Sequence, residues 1–149
     1  MKAFAVHARI DFAMGLRNRT LLPMHYLMPL GFYVVVAAIM TAINPLFGPQ
    51  MIPAMIVFAI VCSTLPGWPT PLIEAREANI LRTYRIHGMG ARPLLAIPAL
   101  ATGIHMTIVA ALIIVTAPWL FGAPLPVRWL PFVLVFGLAL ACHIGLGLL

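Results

Sequence analysis

Residues 24–43 read MHYLMPLGFYVVVAAIMTAI, twenty in a row without one formal charge. Wound as a helix, such a run is about 30 Å long, the thickness of a bilayer's hydrocarbon core. Three more charge-free runs follow, at 51–73, 94–117 and 129–149. The composition of the 149-residue chain agrees, with 63% hydrophobic residues, 8% charged residues and a mean hydropathy of +1.07. Globular domains carry roughly a quarter charged residues, so an ordinary soluble domain is excluded. The expected fold class is all-α: a polytopic transmembrane helix bundle of four spans, forming one domain over 1–149.

The joints between the runs are of two kinds. Asn44, Pro45, Gly48 and Pro49 punctuate a short uncharged turn, and Pro118, Gly122, Pro124 and Pro126 mark a second uncharged loop. Within the second run, Pro66, Pro69 and Pro71 each remove a backbone donor and disfavour helix at the residue before them, which predicts a kink or an early end near Leu65. The middle joint differs in kind. From Glu74 to Pro93 the chain reads EAREANILRTYRIHGMGARP, an island holding six of the twelve formal charges. The sequence then stops at Leu149 inside apolar residues, which reads as a fragment, a truncated frame or one piece of a split protein.

Nine Lys and Arg against three Asp and Glu give a net charge of +6. In a soluble protein this would make nucleic acid a candidate partner. Here the basic residues flank apolar runs, so they set topology and touch anionic lipid heads, and no nucleic acid is expected. Lys2, Arg9, Arg17 and Arg19 precede the first span, the island carries Arg76, Arg82, Arg85 and Arg92, and the two outer loops have only Arg128. Two spans separate the basic segments, so both fit on the cytoplasmic side. No short apolar region with a small-residue cleavage site follows the basic start, so the N-terminus is expected to be retained. Phe4, Ala8 and Phe12 recur every four residues, with Lys2, Arg9 and Arg17 on another face. This suits an amphipathic interfacial helix over 1–20, the plainer reading being an unstructured basic tail.

Within the island, 74–85 lacks Pro and Gly, and Ile73, Ile80, Leu81 and Tyr84 follow helical spacing around Glu77. Arg82 and Arg85 share a neighbouring face, and Gly88 and Gly90 break the helix before Arg92 and Pro93 open the next span. A short cytoplasmic helix with apolar and ionic groups side by side suits docking of a soluble partner. The plainer reading is a solvated loop that only sets topology.

At these residues the chain resembles the permease subunits of type-2 ABC exporters. Their second and third spans are linked by a charged E-x-R-E segment followed by a hydrophobic residue and an L-R pair, matched here by Glu74, Arg76, Glu77, Ile80, Leu81 and Arg82. The basic N-terminal segment and Pro-containing first span are also similar, so the resemblance covers essentially the whole chain. It implies that the island, with Arg85, is the coupling helix contacting an ABC ATPase subunit, and that 1–20 is the interfacial connecting helix. It further implies a second permease subunit, as homo- or heterodimer, and a multi-pass place in the plasma (inner) membrane with the N-terminus cytoplasmic. Asn79 stands where the family often has Gly, Gly88 where many members have Pro, and four spans stand where six are usual. No Gly-rich phosphate cradle or Walker-type Gly-Lys-Ser/Thr is present, so ATP and Mg are expected on the partner subunit and no cofactor in this chain.

Inside the spans, His105 and His143 are the ionisable groups to weigh. Together they could make a proton relay or metal site. With no acidic partner in any span and no third ligand, a neutral imidazole bonded between helices or near the interface is preferred. Ala99, Gly103, Thr107 and Ala111, and likewise Gly137, Ala141 and Gly145, recur every four residues and read as helix-packing seams. Tyr26, Tyr33, Met24 and Met28 read as core packing before a soft-metal or aromatic substrate surface. Trp68, Trp119 and Trp129 read as interface anchors. Cys62 and Cys142 read as small apolar packing residues, without metal-site spacing.

The function expected is therefore a transport subunit without its own ATPase site, moving a substrate the sequence does not specify. The alternative is a non-transporting membrane anchor or regulatory protein that recruits a cytosolic partner through 74–93. An intramembrane enzyme ranks third, since no span shows a Ser/His, paired Asp or HExxH arrangement. A topology reporter inserted at Gly88 is expected to report the cytoplasm, and one at Pro124 the opposite side. The same side for both would overturn the topology.

Overall fold

A computed structural model of the chain describes residues 2–19, 21–64 and 91–147. Helix α1 covers Lys2–Arg17. A π-helical turn, Pro23–Leu27, runs straight into α2, Met28–Ile43. A 3-10 turn at Pro45–Phe47 leads to α3, Gly48–Thr64, and the two long helices α4, Ala91–Phe121, and α5, Trp129–Gly147, follow. No strand occurs among the described residues.

Three helical stretches are long and apolar enough to cross a membrane: Pro23–Ile43, Ala96–Phe121 and Trp129–Leu146, of 21, 26 and 18 residues. They correspond to the first, third and fourth charge-free runs. α3 is apolar too but is described for 17 residues only. The remainder of the second run and the island 74–90 lie outside the described residues.

Local chemistry explains the joints. After α1, the Asn18 side-chain oxygen accepts from the Leu21 N–H at 3.2 Å, an N-cap that starts the next helix. Pro29 then has no N–H for the His25 carbonyl and its ring crowds that position. One wider turn results, in which the Met28 N–H reaches back five residues to Pro23 O. At the end of α2, Asn44 turns extended and its side chain accepts from Leu46 N–H at 3.0 Å. This compresses the expected turn, so α3 begins at Gly48 and not at Met51.

α4 departs from the sequence reading at its end. A loop was expected from Pro118, yet Pro98 and Pro118 both lie inside the helix. In an apolar bundle, neighbouring helices compensate a missing donor that would break a soluble helix. The stop is Gly122, at φ +65°, whose N–H bonds Pro118 O at 3.1 Å. That left-handed conformation is the usual glycine helix end.

Side-chain pairs fix the directions of the helices. The Ser63 hydroxyl donates to Met24 O at 3.3 Å, so α3 ends where α2 begins and the two are antiparallel. Tyr26 meets His105, and Tyr33 meets Thr116 at 3.2 Å, so α2 and α4 run parallel. Thr64 and the start of α4 therefore lie at one end of the bundle, the end where α1 packs against α4. The core fills the space between: Tyr33 and Ala37 of α2, Met51, Ile52, Ile56 and Ile60 of α3, and Met106, Val109, Ile113 and Ala117 of α4. α5 leans on this core through Phe132, Phe136, Ala139 and Leu140.

The small-residue seams need correcting. A methyl added to Gly103 would touch Leu140 at 3.7 Å, but Thr107 and Ala111 are exposed, and on α5 nothing lies within 4 Å of Gly137 or Gly145. Spacing says that two helices can approach closely there, and not which face is covered. The covered face of α4 is the stripe through Ile97, Ala101, Met106, Val109 and Ile113, of which Met106, Val109 and Ile113 share one close-packed cluster with the Met and Ile of α3. Trp119 and Trp129 are both exposed and flank the α4–α5 loop, and Trp68 lies outside the described residues.

Replacing Gly122 by Val is expected to lower stability by about 1–2 kcal/mol, the cost of a left-handed conformation for a residue with a side chain. Asn at the same position is expected to lose less, read as melting temperatures in detergent.

Candidate functional site

Polar side chains gather where α1, the π turn and α4 meet. The wide turn presents two consecutive residues, His25 and Tyr26, and π turns inside α-helices are frequent at functional sites. His105 comes to them from the middle of α4. α1 closes the cluster with Phe12, stacked on the His105 ring at 4.5 Å and 19°, and with Gly15. A methyl on Gly15 would sit 2.7 Å from His105 Nε2, so only glycine lets α1 come this near.

The hydrogen bonds define most of the chemistry. Tyr26 Oη and His105 Nδ1 are bonded at 2.7 Å, and the Tyr26 ring stands edge-on to His105 with centroids 5.5 Å apart. His25 Nδ1 lies 2.9 Å from Leu21 O, a carbonyl that can only accept, so Nδ1 carries the proton. The neutral ring then offers a lone pair at Nε2. That atom is buried and has no hydrogen-bond partner among the described residues. The two imidazoles are 5.2 Å apart between centroids and tilted by 51°. Both residues are buried, His25 at 6% and His105 at 3% exposure.

The residues singled out from sequence distribute differently. Glu74, Arg76, Glu77, Ile80, Leu81, Arg82 and Arg85, the expected coupling residues, lie outside the described residues. His105 is bonded between helices, but to Tyr26. His143 instead bonds the carbonyl of Ala139 one turn back in its own helix, at 2.8 Å. Each imidazole thus has its own separate partners. Among the described residues no three His, Cys, Asp or Glu side chains converge as a metal site would need. Tyr33 is a core residue, edge-on to Phe121, whereas Met28 is exposed. Cys62 is buried and Cys142 exposed, both as free thiols.

Sequence reasoning overlooked His25 and Gly15, and it placed Phe12 on the apolar face of the N-terminal helix without its contact to His105. A signal for His25 was present in the flanking Pro23 and Pro29, which bracket a distorted helix start. Nothing in the sequence marks Gly15 as the contact for a residue ninety positions away. A second concavity, between α3 and α5, is lined by Pro53, Ile56, Ile60, Phe132 and Phe136 and is apolar throughout. It has no group to do chemistry with.

Fold and site together define a helical bundle of the membrane-protein class with a buried imidazole–phenol cluster at one end. No protein-family model, curated protein or solved structure matches the chain.

Tyr26→Phe leaves His105 Nδ1 without its partner and is expected to destabilise the bundle by about 1–3 kcal/mol. Gly15→Ala is expected to act at the same contact, so the double variant should lose less than the sum of the two single losses. Thermal unfolding in detergent measures all three, and strict additivity would disprove the shared contact.

Proposed function

We propose that this chain is the membrane-spanning permease subunit of an ATP-driven ABC exporter in the plasma membrane, with its N-terminus cytoplasmic. It works with a separate ATPase subunit and a second permease subunit. The observation that carries this reading is the charged pattern Glu74, Arg76, Glu77 followed by Ile80, Leu81 and Arg82, between two apolar segments. The fold supports it in one respect. Thr64 and the start of α4, the two ends that the island joins, lie at the end of the bundle where α1 packs, and Arg9, Arg17 and Arg19 of the N-terminal segment are exposed. Both basic segments can then share one side of the membrane.

In this reading the chain does no bond-making chemistry. ATP and Mg bind the partner, and closure of two ATPase subunits pushes on the island of each permease. Glu74, Glu77, Arg82 and Arg85 transmit the push through ion pairs and apolar contact. A difference of a few kcal/mol in docking between the inward-facing and outward-facing states is enough to drive the exchange.

The experiment is co-purification with the ATPase, followed by Glu77→Lys. The variant is expected to lose at least about tenfold in ATPase affinity, equivalent to ~1.4 kcal/mol, and to lose transport. Wild-type binding and transport in Glu77→Lys would refute the coupling role. ATPase capture by the wild type without any transport would favour the recruiting anchor instead.

A further inference from the structure

The cluster under α1 has one property that packing alone does not account for. A buried polar atom without a hydrogen bond costs about 1–3 kcal/mol, and among the described residues His25 Nε2 is such an atom, in a ring whose other nitrogen is bonded. Its lone pair is fixed by the Nδ1–H bond to Leu21 O, which leaves Nε2 as the acceptor in the neutral ring. A phenylalanine in this place would fill the space with nothing left unpaired. Imidazole is the side chain whose unperturbed charge change falls between about pH 5 and pH 8.

We propose that His25, Tyr26 and His105 form a proton-binding site beneath α1, with His25 Nε2 as the acceptor, and that filling it releases α1 from α4. The proton is taken from hydronium and leaves water behind. The His25 lone pair becomes an N–H bond and the ring an imidazolium, with Nδ1 still donating to Leu21 O.

The consequence follows from what surrounds the ring. His105 lies 5.2 Å away between centroids, the π turn brings Tyr26, α1 brings Phe12 and Gly15, and α3 brings Ser63, already bonded to Met24 O. None of these is bonded to Nε2. The charged groups described on α1 and the turn after it are Arg9, Arg17 and Arg19, all cations and all exposed. An imidazolium here gains no described anion and faces a second imidazole. Opening the site to water relieves it, and α1 is the element that can lift. It covers His105 through the Phe12 stack and the glycine contact, and it joins the bundle by the short turn at Asn18. The remaining contacts of the cluster are made by helices that share the core.

The proposal is independent of the transport reading. It is tested on the full chain in lipid nanodiscs by amide hydrogen exchange at about pH 8 and about pH 5, expressed as protection factors so that the intrinsic pH dependence cancels. On acidification α1 is expected to lose protection by at least about tenfold, while α5 is unchanged. His25→Asn keeps a donor at the Nδ1 position without the titrating lone pair, and is expected to hold α1 protected at both pH values. His143→Asn is expected to respond as the wild type does. Equal α1 protection at the two pH values in the wild type overturns the proposal, whatever the variants do. So does loss of protection in α5 along with α1, persistence of the response in His25→Asn, or its removal by Asp11→Asn.

Discussion

In an apolar surrounding every backbone N–H and C=O must find its partner within the protein, and this chain meets that demand with fourteen prolines. Each proline inside a helix removes a donor, and the structure is arranged around where the orphaned bonds go. At Pro29 the helix widens, Met28 reaches Pro23, and Met24 O takes the Ser63 hydroxyl from α3. Near Pro118 the helix survives for one more turn and ends when Gly122 bonds back to the proline's own carbonyl. The first repair has a larger effect than the second. The widened turn sets His25 and Tyr26 side by side toward α4, and the bond across to Ser63 ties α2 to α3 at the same level.

Packing then builds on a spine. α4 buries one continuous stripe against α3 and α2, and α1 and α5 attach to it from outside. Interiors of this kind hold by close fit more than by any one bond. Among the described residues, polar contacts that cross between helices occur at two levels: Tyr33 with Thr116, and the cluster of Tyr26, His105 and His25 with the Ser63–Met24 bond beside it. The first joins two helices within the core. The second also holds α1, which buries no described residue in that core.

The sequence made the apolar helices legible because their signal is the absence of charge, and that signal needs no partner to be read. Pro118 shows its limit. A residue that breaks helices in water marked the wrong stop, since neighbouring helices change what a missing donor means. The histidines show another. His105 and His143 were grouped because both lie within apolar runs, yet contact depends on the rotation and register of two helices, and neither is written in composition. Gly15 carries no pattern of its own in the sequence, and its role, to admit an imidazole, shows only once α1 is laid against α4. The coupling residues Glu74 to Arg85 remain a reading of the sequence pattern.

The pairing of His105 with Tyr26 also measures depth. Tyr26 belongs to the first turn of its helix, whereas Ala91 to Ile104, fourteen residues and about 21 Å of α4, come before the level at which the pair meets. Counted along its own helix His105 is central, and counted against its neighbour it stands at the threshold of the bundle. The bundle is therefore stepped at this end, with α4 projecting past the start of α2 and α1 seated against α4. A histidine that looks central in its span from the sequence is placed at the step, level with the start of α2 and beneath α1.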